Sequence, residues 1–91
     1  MQLGYIKIED FIELVRLADK VIMETEHYVY IEYGPSSIDV YVMKGGLHRN
    51  KDYDLVERFV MYDPWAPKRD AEKFCKARDY LKSLLGREEN E

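Results

Sequence analysis

Cysteine and histidine are scarce in this 91-residue chain, which contains only Cys75, His27 and His48. A single cysteine excludes an intramolecular disulfide and is typical of a reducing compartment, so we expect a cytoplasmic protein. A zinc site usually takes three or four cysteine or histidine ligands at a regular spacing that is absent here. A hydrolytic triad needs a nucleophile, a base and an orienting group, for which there are too few candidates. We therefore predict a non-enzymatic protein without metal or cofactor.

Long hydrophobic runs and a strong excess of one charge are also absent. The longest apolar run is far shorter than the ~20 residues of a membrane-spanning helix. The N-terminus lacks the basic and apolar regions of a signal peptide. The net charge is −4, with eight acidic and three basic side chains in residues 1–43 and ten and eleven in residues 44–91. Nucleic-acid-binding domains are usually far more basic, so we regard nucleic acid as the less favoured partner. Because the apolar runs are short, we expect no membrane contact.

Alternating side chains define two segments, 27–33 and 37–43. The period of two predicts a hairpin with one face on a hydrophobic core. Gly34-Pro35-Ser36-Ser37 between them has the composition of a turn. The predicted core face consists of Val29, Ile31, Ile38, Val40 and Val42. The predicted outer face consists of Tyr28, Tyr30, Tyr41 and Met43.

The remaining segments predict two helices and a third strand. Apolar residues at three- and four-residue spacing predict a helix over about 10–25, with Asp10 as its N-cap. Its predicted buried stripe is Phe11, Leu14, Val15, Ala18, Val21 and Ile22. A second helix over about 67–85 begins at Pro67 and stops at Gly86, before the acidic tail 88–91. Its predicted stripe is Phe74, Ala77, Leu81, Leu84 and Leu85.

A third strand over about 55–62 can face the core in either of two ways. One alternative buries Val56, Val60 and Tyr62, and the other buries Leu55, Phe59 and Met61. The element order predicts one α+β domain spanning residues 1–91, with the arrangement α-β-β-β-α. In it a three-stranded antiparallel sheet carries both helices on one face. The tyrosine face is then left open.

Three interpretations of the tyrosine face remain. Tyr28, Tyr30 and Tyr41 can be cross-strand packing on a solvated sheet. They can instead form a contact surface for another protein or for a second copy, since tyrosine rings are enriched at interfaces. Base stacking is the third use, but Glu32 and Asp39 on this face would repel phosphate. We predict protein binding through Tyr28, Tyr30, Tyr41 and Met43, with a homodimer through the same face as the competing form.

The second helix offers an alternative surface. A stripe at helical spacing, suited to an anion or nucleic acid, consists of Arg69, Lys73, Lys76, Tyr80 and Arg87. A solvated helix face is the competing interpretation, because Glu72 and Asp79 dilute the charge. In the loop 45–54, His48, Arg49 and Lys51 form either a basic tip or part of a mobile connection. The only tryptophan, Trp65, is predicted to cover the end of the core, and if exposed it would be an anchor for a partner.

One series of parts runs along the chain: segments 28–33 and 38–43, Gly45-Gly46, residues 51–54 and the closing helix through 80–84. This order of parts resembles small proteins of bacteriophages and mobile elements, including anti-CRISPR-type inhibitors. It implies an inhibitor that blocks a host complex by occlusion, in the host cytoplasm. The predicted function is therefore a non-enzymatic binding protein that contacts a macromolecule through the tyrosine-rich face. The alternative is a nucleic-acid-binding or regulatory protein that uses the basic stripe.

Overall fold

The computed structural model describes residues 5–86, and these residues form the predicted α-β-β-β-α arrangement. The elements are α1 (Ile8–Glu24), β1 (Tyr28–Tyr33), β2 (Ile38–Met43), β3 (Leu55–Phe59) and α2 (Pro67–Leu84). The acidic tail 88–91 and Arg87 lie outside the described residues. Within residues 5–86, no helix is long and apolar enough to cross a membrane.

The three strands form one antiparallel sheet in the order β1-β2-β3. Ile31 pairs with Val40, and Val40 pairs in turn with Glu57. The tight turn between β1 and β2 is closed by the Gly34 N–H, which donates to the Ser37 carbonyl at 2.9 Å. This register places the predicted aliphatic face of the hairpin on the core, because residues opposite each other in a sheet share a face.

Both helices cover that same face, with α1 packed against β1, α2 against β3, and the two helices against each other. Phe59 of β3 is fully buried, and its ring meets Phe74 of α2 edge to face at a centroid distance of 5.7 Å. Leu55 is also buried and Met61 packs against the core, whereas Val56 is exposed. The second of the two alternatives for the third strand is therefore confirmed.

The third strand is shorter than the predicted 55–62 and ends at Phe59. Tyr62 adopts a left-handed backbone conformation with a φ of 57°, which turns the chain out of the sheet. Its hydroxyl accepts a hydrogen bond from the N–H of Ile8 at 3.1 Å. Because a tyrosine with positive φ is sterically unfavourable, this contact with α1 helps to hold the turn that ends the strand.

The start of α1 also differs from the prediction. The helix begins at Ile8 rather than near 10, and Lys7 rather than Asp10 occupies the cap position. Asp10 lies in the first turn, where its Oδ2 accepts the N–H of Lys7 at 2.9 Å. A carboxylate there satisfies an otherwise unpaired N–H and favours the positive end of the helix dipole. The prediction of an N-cap at Asp10 was wrong by one helical turn.

The predicted apolar stripe of α1 is only half buried. Leu14, Ala18 and Val21 lie in the core, whereas Val15 and Ile22 remain exposed. The exposed positions lie on the side of the helix that turns away from α2, and a 17-residue helix packed above one strand cannot cover a wider arc. Burial of Val15 and Ile22 was therefore predicted incorrectly.

Candidate interaction surface

The outer face of the sheet carries side chains from all three strands. Tyr30 of β1 is paired with Tyr41 of β2, which is paired in turn with Val56 of β3. Tyr30 and Val56 are exposed and Tyr41 is half-buried. Tyr28, also half-buried, lies on the same face opposite Met43. Neither α1 nor α2 packs on this side, because both contact the opposite face.

Three tyrosine rings form a row across this face. The rings of Tyr30 and Tyr41 have centroids 5.7 Å apart, and those of Tyr41 and Tyr53 are 5.0 Å apart. Tyr53 belongs to the loop before β3, so alternation along a strand gave no signal for it. Tilted ring pairs at this spacing stabilise one another beyond their buried area. We call Tyr30, Tyr41, Tyr53 and Val56 the tyrosine row.

An ion pair borders the tyrosine row. Arg58 donates from Nε to Oδ1 of Asp39 at 2.7 Å and from Nη2 to Oδ2 at 3.1 Å, and the Tyr41 hydroxyl donates to the same carboxylate at 3.4 Å. The hydrogen bond from Arg58 lowers the pKa of Asp39. Burial raises the pKa of Tyr41, with a further contribution from the negative charge of Asp39. The border of the row is thus a fixed, charge-paired cluster.

A folded loop covers the other end of the outer face. The N–H of Lys44 donates to Oδ2 of Asp54 at 2.6 Å, and Lys51 Nζ donates to the Lys44 carbonyl at 2.9 Å. The N–H of Gly45 donates to Nδ1 of His27 at 3.0 Å, so this histidine anchors the loop. Gly45 and Gly46 both have positive φ, which glycine adopts without the cost borne by other residues.

The same loop removes Met43 from the predicted contact set. Met43 lies on the outer face as predicted but keeps only 2% of its surface exposed. The N–H of His48 approaches its sulfur at 3.1 Å, and the loop side chains Leu47 and Arg49 line the same open depression of about 450 Å³. A methionine covered in this way is part of the folded structure, not of the exposed surface.

Two cations of the basic stripe of α2, Arg69 and Lys76, form ion pairs with carboxylates. Arg69 Nη2 lies 3.3 Å from Oδ2 of Asp63 and 3.5 Å from Oδ2 of Asp70. Lys76 Nζ lies 3.0 Å from Oε2 of Glu57. Of the other predicted members, Lys73 and Tyr80 are half-buried, and the ammonium of Lys44 lies 5.8 Å above the Tyr80 ring.

Trp65 is 92% exposed, so the prediction that it covers the core was wrong. Two carboxyl groups close to this segment in the chain, Asp63 and Asp70, are buried. Oδ1 of Asp63 accepts the N–H of Trp65 at 2.8 Å. Burial raises the pKa of Asp70, and the hydrogen bond with Asp70 lowers that of Asp63. The carboxyl pair therefore holds the backbone of this turn while the indole points away from it.

Across the described part of the chain, no three histidine, cysteine, aspartate or glutamate side chains converge in a way that could hold a metal ion. Cys75 is half-buried at the margin of the core, and His27 binds the loop backbone. Comparison with known protein families, curated proteins and solved structures returned no match.

Proposed function

We propose that this protein is a non-enzymatic binding protein of the cytoplasm that contacts another protein through the tyrosine row. The observation that carries the proposal is the contact between the rings of Tyr30, Tyr41 and Tyr53 on a face that neither helix covers. Rigid aromatic rings lose little side-chain entropy on binding and combine an apolar body with a polar tip. Such residues are typical of the centre of protein interfaces.

The charges around the row favour a protein partner over a nucleic acid. Glu32 and Asp39 belong to the same face, and a carboxylate beside a stacking platform repels phosphate. The only described arginine on the sheet, Arg58, is already held by two hydrogen bonds to Asp39. In the setting implied by the resemblance to phage inhibitors, the partner is a host complex such as a CRISPR effector, which the protein would block by occlusion.

The alternative use of the basic stripe has less support. Lys76 and Arg69 are paired with Glu57, Asp63 and Asp70, so a phosphate would have to displace these carboxylates. The proposal is therefore tested against this alternative with two sets of variants. Tyr30→Ser with Val56→Ser removes apolar surface from the row, and Arg69→Glu with Lys76→Glu reverses the stripe.

The experiment begins with a photo-reactive phenylalanine analogue placed at Tyr30 and, as a control, at Glu72, an exposed position on α2 away from the outer face of the sheet. We expect position 30 to cross-link to a distinct protein in host cells and position 72 not to do so. The purified partner should then bind the wild type and the stripe variant but not the row variant. Circular dichroism of both variants checks that they remain folded.

Salt dependence separates the two uses of the surface. Tyrosine-anchored binding should change little between low and moderate salt, whereas binding to phosphate weakens steeply. The proposal fails if a fluorescent single-stranded RNA binds the wild type at low salt and the stripe variant abolishes that binding. It also fails if cross-linking at position 30 captures only a second copy of the chain.

A further inference from the structure

The free edge of the sheet and the exposed side of α1 lie next to each other. β1 is an edge strand in the order β1-β2-β3. Phe11 of α1 stacks on Tyr33 of β1 at a centroid distance of 5.3 Å, so the helix lies directly above this strand. Glu13 and Leu17 line the cleft towards α2, which places the opposite side of the helix beyond the edge of β1.

That opposite side is apolar and exposed. Five side chains at helical spacing each keep between 40% and 75% of their surface in contact with solvent: Ile8, Ile12, Val15, Ile22 and Met23. We call these residues the α1 stripe. The charged side chain of Asp19 lies between these positions on the same side of the helix. An apolar stripe of this length on a helix already packed by its other side is typical of an interface.

The backbone of β1 can pair with another strand. The hydrogen bond from Gly34 to Ser37 fixes the alternation of bonded and non-bonded pairs along the hairpin. It follows that Val29, Ile31 and Tyr33 direct their N–H and C=O groups away from β2. The direction of the Val42 carbonyl is consistent with this alternation. It accepts the N–H of Asp54 at 2.7 Å and therefore points towards β3, away from β1.

Protective features of edge strands are missing from β1. Natural edge strands usually carry a lysine, a proline or a bulge, which hinders pairing with another chain. β1 contains neither lysine nor proline, and it pairs with β2 in an unbroken register. Its one charged residue is Glu32, which lies on the outer face with Tyr30. Within residues 5–86 no other strand pairs with this edge.

We propose that a second copy of this chain docks here, with the two β1 strands pairing antiparallel and the two α1 stripes meeting above them. A two-fold axis at Ile31 pairs Val29 with the partner's Tyr33, so that all three outward-facing residues find hydrogen-bonding partners. Each Glu32 then lies opposite the partner's Tyr30. An axis at Glu32 would instead oppose two like charges, which is unfavourable.

The size of the edge is sufficient for such a dimer. The molecule measures 36 × 34 × 17 Å, so its edge face has a projected area of about 600 Å² (about 35 × 17 Å). Specific interfaces bury roughly 600–1,000 Å² per partner. Two-fold symmetric dimers are also the commonest assemblies of identical chains. The result is a continuous six-stranded sheet whose two tyrosine rows lie on the same side, and the inference does not depend on what those rows bind.

The first experiment measures solution mass by size-exclusion chromatography with light scattering over a wide concentration range. We expect the wild type to approach twice the chain mass of 10.9 kDa. Ile12→Glu with Val15→Glu should halve that mass without unfolding, because both side chains are exposed. Tyr53→Ser with Val56→Ser, on the outer face away from the β1 edge, should leave the dimer intact. A monomeric wild type, or a dimer dissociated only by the outer-face variant, would overturn the inference.

A cross-linking experiment tests the register directly and does not depend on the glutamate variants. In a Cys75→Ser background, Ile31→Cys should form an intermolecular disulfide under mild oxidation, because Cα atoms of a hydrogen-bonded pair are ~5.5 Å apart. Val29→Cys is the matched control, since two copies of residue 29 would be about 14 Å apart. Equal cross-linking at both positions, or none at position 31, would contradict the proposed pairing.

Discussion

Arg58 and Asp39 join β3 to β2 through two parallel hydrogen bonds, and the same carboxylate accepts the hydroxyl of Tyr41. The arginine is exposed, while the carboxylate is buried. One residue pair therefore closes the border of the outer face and orients the central ring of the tyrosine row.

Replacement of Asp39 by asparagine should lower stability in a pH-dependent way. The pKa of Asp39 is lowered chiefly by the hydrogen bond from Arg58. A lowered pKa means that the folded state favours the ionised form, so the contribution is present above about pH 4 and is lost as the pH falls through the folded-state pKa. Urea unfolding of wild type and Asp39→Asn should show a difference at neutral pH that shrinks on acidification. Asp52→Asn, at an exposed position in the loop before β3, controls for the loss of a surface charge, and a difference independent of pH would contradict the prediction.

Truncation of Phe59 should be severely destabilising. Its ring is fully buried against Phe74, so Phe59→Ala should cost about 3–5 kcal/mol in the free energy of unfolding. Val56→Ala, on the exposed face of the same strand, should change that energy by no more than about 0.5 kcal/mol. Denaturant melts of the two variants make a direct comparison. Similar losses would mean that β3 does not face the core as described.

The fluorescence of Trp65 should be that of an indole in water. The side chain is 92% exposed and is the only tryptophan, so emission should lie at long wavelength and acrylamide should quench it efficiently. Trp65→Ala should shift the free energy of unfolding by no more than about 0.5 kcal/mol. A blue-shifted emission that resists quenching would show that the indole is covered in solution.

Asp70→Asn should stabilise the protein increasingly as the pH rises. Burial and the neighbouring Asp63 raise the pKa of Asp70, so the folded state favours its protonated form. The contribution of a raised pKa is fully present below about pH 4 and is lost as the pH rises through the folded-state value. Asparagine keeps a donor for Asp63 and an acceptor for the N–H of Val60. Unfolding measured from acidic to neutral pH should show a growing advantage for the variant, and Asp79→Asn, on the exposed side of α2, serves as the surface control.

The hairpin could be predicted from sequence because its periodicity is unambiguous. Val29, Ile31, Val40 and Val42 alternate with tyrosines, and a shift of one residue would bury the wrong face. The third strand could not be oriented in the same way, since both of its faces contain apolar side chains. Phe59 is assigned to the core only by its contact with Phe74, which is a long-range relationship.

The candidate surface was predicted only in part. Tyr30 and Tyr41 follow from alternation, but Tyr53 joins them through a loop whose path depends on glycine φ values and on Asp54. Average burial gave the wrong expectation for Trp65, whose indole is 92% exposed on a turn that Asp63 holds through the backbone. The burial of Met43 was not predicted either, because a loop can fold back over a sheet without any periodic signal in the sequence.

The connectivity of the sheet has a consequence for how the chain folds. Each strand pairs with its immediate neighbour in sequence, and each helix packs on the strand nearest to it in the chain. The contact between α1 and α2 and the hydrogen bond between Ile8 and Tyr62 close long loops, which carry the larger entropic cost. Contacts between near neighbours in sequence form at a lower entropic cost, so we expect the hairpin closed by Gly34 and Ser37 to form early and the two helices to dock onto it later.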